Sequence, residues 1–400
     1  MIFKTMNILF LYHLTIDPIK GGIERVTNVL ADYFGKRGYK IFFLGLKKSS
    51  PIIDGRQYYL PDSKRFGAKQ NIQYFLYFLK ANRITIVINQ GGLGPQSSRL
   101  AYYCHEQNVP LISVIHNSIL ARINNFSSAY FNLFKKYNLI WVLKIINRLN
   151  IKIVLLWMYK QKYKKHFKEL CKNSHFVVLL SDEFKKELQF FTGKKINVNT
   201  VSLPNPVSFN VKTDISQKKK ELLYVGRIDF YQKRVDLLLA IWSKLYKWYA
   251  DWSLHIVGDG PQLADAKQLS VKLKLENIYF DGFLEPQVYY QNASLFCMTS
   301  SYEGFGIVLV EAMQYGVIPF AFNSYLSITD IIDDQINGIL IPPFNIDQYV
   351  FELERFMKDD SLRKSFAMET IKKSQKYSLD KIGGEWVSLF NNLQTDGLKL

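Results

Sequence analysis

The sequence predicts an α/β protein of two doubly wound domains, one after the other, facing across a cleft. Three observations predict it. The chain has 400 residues, enough for two domains at roughly 100–200 residues apiece. Short apolar runs rich in β-branched and aromatic residues alternate with helical patterns, as parallel strands buried on both faces require. The alternation stops once, where Pro204, Asn205 and Pro206 lead into a polar stretch ending in Lys218, Lys219 and Lys220, and then restarts. The prolines block regular structure and the charge run reads as solvated surface, so this stretch is the expected hinge between domains 1–206 and 207–377.

In the first half, strands are expected at 7–14, 40–46, 84–89, 111–116, 176–180 and 200–203, with helices at 22–37, 69–82 and 182–191. The run at 7–14 lacks a basic flank and a small-residue cleavage site, so it reads as a strand and not as a signal peptide. Ser181 and Asp182 suit the N-cap of the third helix. In the second half the order is strand 222–225, helix 235–249, strand 253–257, helix 262–275, strand 278–283, a short helix at 286–292, strand 295–298, helix 305–315 and strand 317–321. Val235, Leu238, Leu239, Trp242, Leu245 and Tyr249 form one stripe at the helical period.

Hydrophobic residues make up 48% and charged residues 22%, which excludes a disordered chain. The net charge of +18 attracts polyanions: nucleic acid, anionic lipid head groups or phosphorylated small molecules. Cys104, Cys171 and Cys297 are odd in number and lack metal-ligand spacing, so they read as buried hydrophobes in a reducing compartment. The apolar stretch 139–159 is interrupted by Lys144, Arg148 and Lys152. Each such charge near mid-span costs about 2.5–3.5 kcal/mol, which argues against a spanning helix. With Lys160, Lys164 and Lys168 these residues make a basic stripe beside Trp141, Ile145, Leu149, Ile153 and Trp157. Such a pattern fits an anionic membrane interface, or a helix packed on the first domain with its basic face in water.

Chemistry concentrates at strand ends. In 300–313 (SSYEGFGIVLVEAM) a buried strand leads to Glu303, then to a helix opening at Phe305 or Gly306 and closing at Gly316. Its first N–H groups favour anionic oxygens, while Glu303 and Glu311, two turns apart, suit hydroxyls. The alternative is a helix cap with a solvated glutamate. In 224–236 (YVGRIDFYQKRVD) Arg227 and Lys233 lie between a strand end and a helix, on the sheet edge where doubly wound folds bind ligands. Two fixed cations there stabilise a departing diphosphate; alternatively both are surface charges, and Arg234 is a rival to Lys233. Gly21 and Gly22, after Lys20, form either a phosphate-facing turn or a plain one, and Gly258 and Gly260 carry the same two readings. His116, at a strand end before Asn117, either bonds a sugar hydroxyl or is structural.

Together these segments resemble the bacterial GT-B glycosyltransferases of retaining family four, which build capsule, O-antigen and exopolysaccharide repeats. The resemblance implies a GT-B fold, with Arg227 and Lys233 on the diphosphate, Glu303 on the donor sugar and Glu311 on the ribose. Backbone groups of Phe305, Gly306 and Ile307 line the sugar and phosphate pocket, Gly282 and Phe283 pack on the nucleobase, and His116 lies beside the reacting sugar. It further implies a last helix, 378–400, returning to the first domain, Gly21, Gly22, Gly258 and Gly260 among the donor-binding residues, and a nucleotide-sugar donor, expected to be a UDP-sugar. The sequence departs from the family at Arg234, where glycine is common, and at Asp330, where glutamate is more usual.

The implied reaction is same-face transfer of a hexose or N-acetylhexosamine to a lipid-linked glycan, on the cytoplasmic face of the membrane. The chain contains no Asp-x-Asp pair, so Arg227 and Lys233 stand in for a metal; no cofactor, no metal and no nucleic-acid partner are expected. The alternatives are a GT-B nucleotide-sugar 2-epimerase, which needs no acceptor, and a nucleic-acid-binding protein, for which no recognisable module is present.

Overall fold

The computed structural model describes residues 6–19, 21–51, 55–126, 141–142, 152–193, 199–207 and 214–397. The chain forms two compact units. Met1–Ile119, Leu156–Ser208 and Tyr377–Leu400 make the first, and Leu120–Leu155 with Phe209–Lys376 the second. The segment 120–155, expected within the first domain, is thus grouped with the second, and much of it lies outside the described residues.

The first unit holds a parallel sheet in the order β3-β2-β1-β4-β5-β6-β7. Its strands are β1 (Asn7–Tyr12), β2 (Lys40–Gly45), β3 (Gln57–Tyr59), β4 (Ile86–Asn89), β5 (Leu111–Ile115), β6 (Phe176–Leu179) and β7 (Thr200–Ser202). Leu9, Phe10 and Leu11 of β1 are fully buried, as a central strand covered on both faces requires. The helices are α1 (Gly22–Gly35), α2 (Lys69–Ala81), α3 (Pro95–Ala101), a one-turn α4 (Ala121–Asn124) that is grouped with the second unit, α5 (Lys152–Asn173), which is grouped with the first unit from Leu156 onward, and α6 (Glu183–Thr192). Ser181 Oγ, not Asp182, accepts the Glu183 N–H at the start of α6. All three cysteines are free and buried.

The second unit repeats the plan with six strands in the order β10-β9-β8-β11-β12-β13. They are β8 (Lys219–Val225), β9 (Ser253–Val257), β10 (Ile278–Gly282), β11 (Ala293–Met298), β12 (Ile318–Phe322) and β13 (Ile339–Ile341). Around them lie α7 (Val235–Leu245), α8 (Leu263–Lys272), α9 (Gln287–Asn292), α10 (Ile307–Gln314), α11 (Ile328–Ile331), α12 (Ile346–Lys358) and α13 (Asp360–Ser374). The predicted stripe on α7 is the core: Val235, Leu238, Leu239, Trp242 and Leu245 are all fully buried.

The last helix, α14 (Leu379–Gly397), belongs to the first unit. Gly383 leaves room for the Tyr33 ring of α1, which a Cβ would strike. Phe34 meets Phe390 edge-on, with ring centroids 5.1 Å apart.

Two expectations change here. The lysine run is not all loop: Lys219 and Lys220 open β8, their side chains reaching Glu221 at 3.9 Å and Asp251 at 2.5 Å. The basic helix divides in two. Along α5, Phe167 and Leu170 are buried in the unit, whereas Ile153 (78% exposed) and Trp157 (61% exposed) face solvent among lysines. Lys144, Ile145, Arg148 and Leu149 lie outside the described residues; Trp141 is exposed.

Candidate active site

In the second sheet, chain order reverses at β8, which has β9 on one side and β11 on the other. The loops leaving β8 and β11 therefore rise side by side at the carboxyl edge, the crevice where such sheets bind ligands. They are stitched together. Ser301 N–H donates to Gln232 O at 2.7 Å, Ser301 Oγ to Tyr231 O at 3.1 Å, and Thr299 Oγ1 to Lys233 O at 2.9 Å.

This stitching brings Lys233 and Glu303 together. Lys233 Nζ donates to Glu303 Oε1 at 2.6 Å, both side chains being largely buried. A buried pair of this kind is retained only with good geometry, because each charge loses its hydration. Arg227 is different. Its guanidinium is half exposed, held at one end by Gln232 Oε1 at 3.0 Å and Asp229 Oδ2 at 3.2 Å. Asp229 also accepts the Tyr231 and Gln232 N–H groups, both at 2.7 Å, so one buried carboxylate shapes the loop and steadies the arginine.

Arg234 is separated from its neighbour by backbone conformation. It caps α7 with φ 53°, and its guanidinium turns to Asp236, at 2.8 Å, and over the Phe344 ring. A left-handed position suits glycine, which gives a physical reason why glycine is common here in the family. It also removes Arg234 as a rival to Lys233.

After Glu303, Gly306 sits at φ 87° at the N-cap of α10 and, having no side chain, gives the N–H groups of that first turn no side-chain cap. Its missing Cβ leaves room for the Tyr325 hydroxyl. Phe305 is buried and Ile307 opens the helix. Glu311 is fully buried, and Tyr290 Oη donates to its Oε2 at 3.1 Å. Gly316 follows the helix at φ 72°, as expected of its stop.

Gly258 and Gly260 have a sufficient structural reason. A Cβ on either would collide with backbone of the β8 loop, at Gly226 and Ile228 respectively. Gly282 has φ 78° with open space around it, and Phe283 beside it is 66% exposed.

In the first unit, His116 lies one residue beyond β5 and its Nε2 is 2.6 Å from Gln90 Oε1. Nδ1 is buried with no hydrogen-bond partner among the described residues. Burial pushes the imidazole down to about 4, so it is neutral at pH 7. Gly21 is the N-cap of α1 in extended backbone, not a left-handed turn, and Gly22 opens the helix with free space beside it. The Glu24 carboxylate lies against Gly21 and its pKa is raised, chiefly by burial. Lys20 is outside the described residues. Asp229, Gln232 and Tyr290 are not among the residues the sequence singles out; an aspartate two residues past Arg227 in a strand-end loop is the signal that could have found the first.

A family model described as glycosyl transferases group 1 matches residues 208–373. The chain carries a group 1 glycosyl transferase domain. That domain spans the whole second sheet and contains Arg227, Lys233, Glu303 and Glu311, while His116, Gly21 and Gly22 precede it. Over 373 residues the chain is 25% identical to a glycosyltransferase of Haemophilus influenzae, covering 92% of this chain and 95% of that one. It is 30% identical over 221 residues to the amylovoran biosynthesis glycosyltransferase AmsD of Erwinia amylovora, covering 54% of this chain and 62% of the relative. Among solved structures, Anabaena HepE in complex with UDP and glucose aligns with a TM-score of 0.72 at 16% identity, over 97% of this chain and 100% of HepE. That likeness is one of fold: two Rossmann-like domains of GT-B type.

Proposed function

We propose that this glycosyltransferase moves a hexose or N-acetylhexosamine from a nucleotide-diphosphate sugar, a UDP-sugar, to a lipid-linked glycan in bacterial surface polysaccharide synthesis, with retained configuration. The observation that carries the reading is the Lys233–Glu303 pair beside the half-exposed Arg227 at the β8/β11 crevice. A diphosphate entering there meets one guanidinium with free donors and one ammonium. The carboxylate that ammonium neutralises is left to accept sugar hydroxyls. Glu311 at the ribose, the uncapped start of α10 at the phosphates and the Gly282–Phe283 turn at the base complete the donor reading, with His116 at the sugar.

In the reaction the bond from the anomeric carbon to the diphosphate oxygen breaks, and the acceptor oxygen bonds the same face. The departing oxygen takes the acceptor's proton, and Arg227 and Lys233 stabilise its charge, the role of a metal elsewhere. Glu303 is held by Lys233 and is assigned no nucleophilic role. The amylovoran relative supports the surface-polysaccharide assignment. The exposed Ile153 and Trp157 among the lysines of α5 support an anionic membrane surface, on its cytoplasmic side, as the place where a lipid-linked acceptor is met.

Thermal shift against UDP-, GDP- and ADP-sugars, each with and without EDTA, tests the donor. The expected result is stabilisation by a UDP-sugar, unchanged by EDTA and absent in Arg227→Ala; a donor at about a hundred times its Kd adds about 2.7 kcal/mol. A response that persists undiminished in Arg227→Ala, or none to any nucleotide sugar, overturns the site.

A further inference from the structure

At the opposite, amino-terminal edge of the second sheet a cavity of about 80 Å³ contains Lys218. Its neighbours have carboxylate partners, Lys219 at Glu221 and Lys220 at Asp251. Lys218 has none among the described residues: its half-buried Nζ donates only to Tyr290 O, at 2.6 Å. Ile215, Ile318 and Ala367 give the cavity an apolar wall, and Lys364, half exposed, pairs with Asp360 at its rim; Arg363, which shares that carboxylate, is otherwise committed to Phe356 O and Met357 O. An amine with no direct ion pair among the described residues, an apolar wall for a short acyl chain and an exposed cation suit acyl transfer from a phosphorylated donor.

We propose that Lys218 is an acylation site for small acyl phosphates. The amine nitrogen attacks the acyl carbon, an amide N–C bond forms, the C–O bond to phosphate breaks, and the surplus amine proton leaves on the phosphate as hydrogenphosphate. Lys364 holds the phosphate, and the acyl group lies on Ile215, Ile318 and Ala367. The product amide keeps one N–H for Tyr290 O. Burial pushes the ammonium down to about 7, Glu221 partly opposing it, so much of the amine is unprotonated near neutrality.

The lysine run supplies its own controls. The intact protein is incubated with acetyl phosphate at neutral pH and cleaved after acidic residues. This yields one peptide, 215–221, containing Lys218, Lys219 and Lys220. Fragmentation mass spectrometry then reads acetyl occupancy at each. Lys218 is expected to react about tenfold faster than its neighbours, as a desolvated amine does, and the preference is expected to vanish in guanidinium. Equal rates in the folded protein, or a preference that survives denaturation, overturns the proposal. Lys364→Gln is expected to slow acetylation by acetyl phosphate several-fold while leaving acetylation by an uncharged succinimidyl ester unchanged; an unaltered rate with acetyl phosphate removes the phosphate-holding role.

Discussion

Lys233 and Arg234 carry the same charge and are adjacent, yet backbone geometry gives them different partners. Replacing Arg234 by glycine relieves a left-handed residue, worth about 1–2 kcal/mol, and loses an ion pair worth about 0–1 kcal/mol. Its stability in urea should therefore stay within about 1–2 kcal/mol of the parent, with the donor-induced thermal shift intact. Lys233→Met leaves Glu303 buried without its counter-charge, costing about 3–5 kcal/mol, and should lower transfer on the order of a hundredfold or more. An intact donor response in Lys233→Met, lost instead in Arg234→Gly, would exchange the two roles.

His116 makes a separate prediction. Its folded pKa of about 4 lies below the ordinary 6.5. Below 6.5 the unfolded chain takes up a proton that the folded chain refuses, so stability falls with pH until about 4 and then levels. The slope from this one group is about 1.4 kcal/mol per pH unit. Urea titrations at pH 7 and pH 5 should differ less in His116→Asn than in the parent; equal losses would place the effect elsewhere.

At the level of elements, what the sequence made legible was what local pattern controls. The buried strands around Leu9, Phe42 and Leu295 are continuous apolar runs and were found within a residue or two. The start of β8 was not, because Lys219 and Lys220 look like solvated surface; they join the sheet because its edge lets their side chains reach Glu221 and Asp251. The three-residue β3 and β13 are too short to show a period, and pairing with β2 and β12 makes them strands. Helices α12 and α13 did carry caps, Asn345 accepting from Gln348 N–H and Asp359 from Leu362 N–H, and these could have been read. The exposed Ile153 and Trp157 lead to a prediction at this scale. The protein should float with vesicles containing anionic lipid and not with purely zwitterionic ones, and Trp157→Ser should weaken flotation. Equal recovery with both vesicle types would rule out the membrane surface.

For the whole molecule, the double winding and the convergence of Lys233 with Glu303 followed from glycine-punctuated strand ends, because strand order decides which loops become neighbours. Less legible was why each glycine is there. Gly258 and Gly260 look like ligand loops in sequence, and the structure adds a packing reason that the sequence does not show: the backbone there is too tight for a Cβ. Buried polar partners such as Gln90 for His116 and Tyr290 for Glu311 depend on positions far apart in the chain, which no local pattern reveals.

The place of α14 governs how the molecule is made. Tyr33 and Phe34 are translated early, but the surfaces they offer to Gly383 and Phe390 stay bare until the intervening residues have emerged. At about 5–20 residues per second the wait is tens of seconds. Meanwhile residues 209–376 can complete their own sheet on the ribosome. The half that begins first therefore finishes last, with the aromatic side of α1 uncovered until α14 arrives.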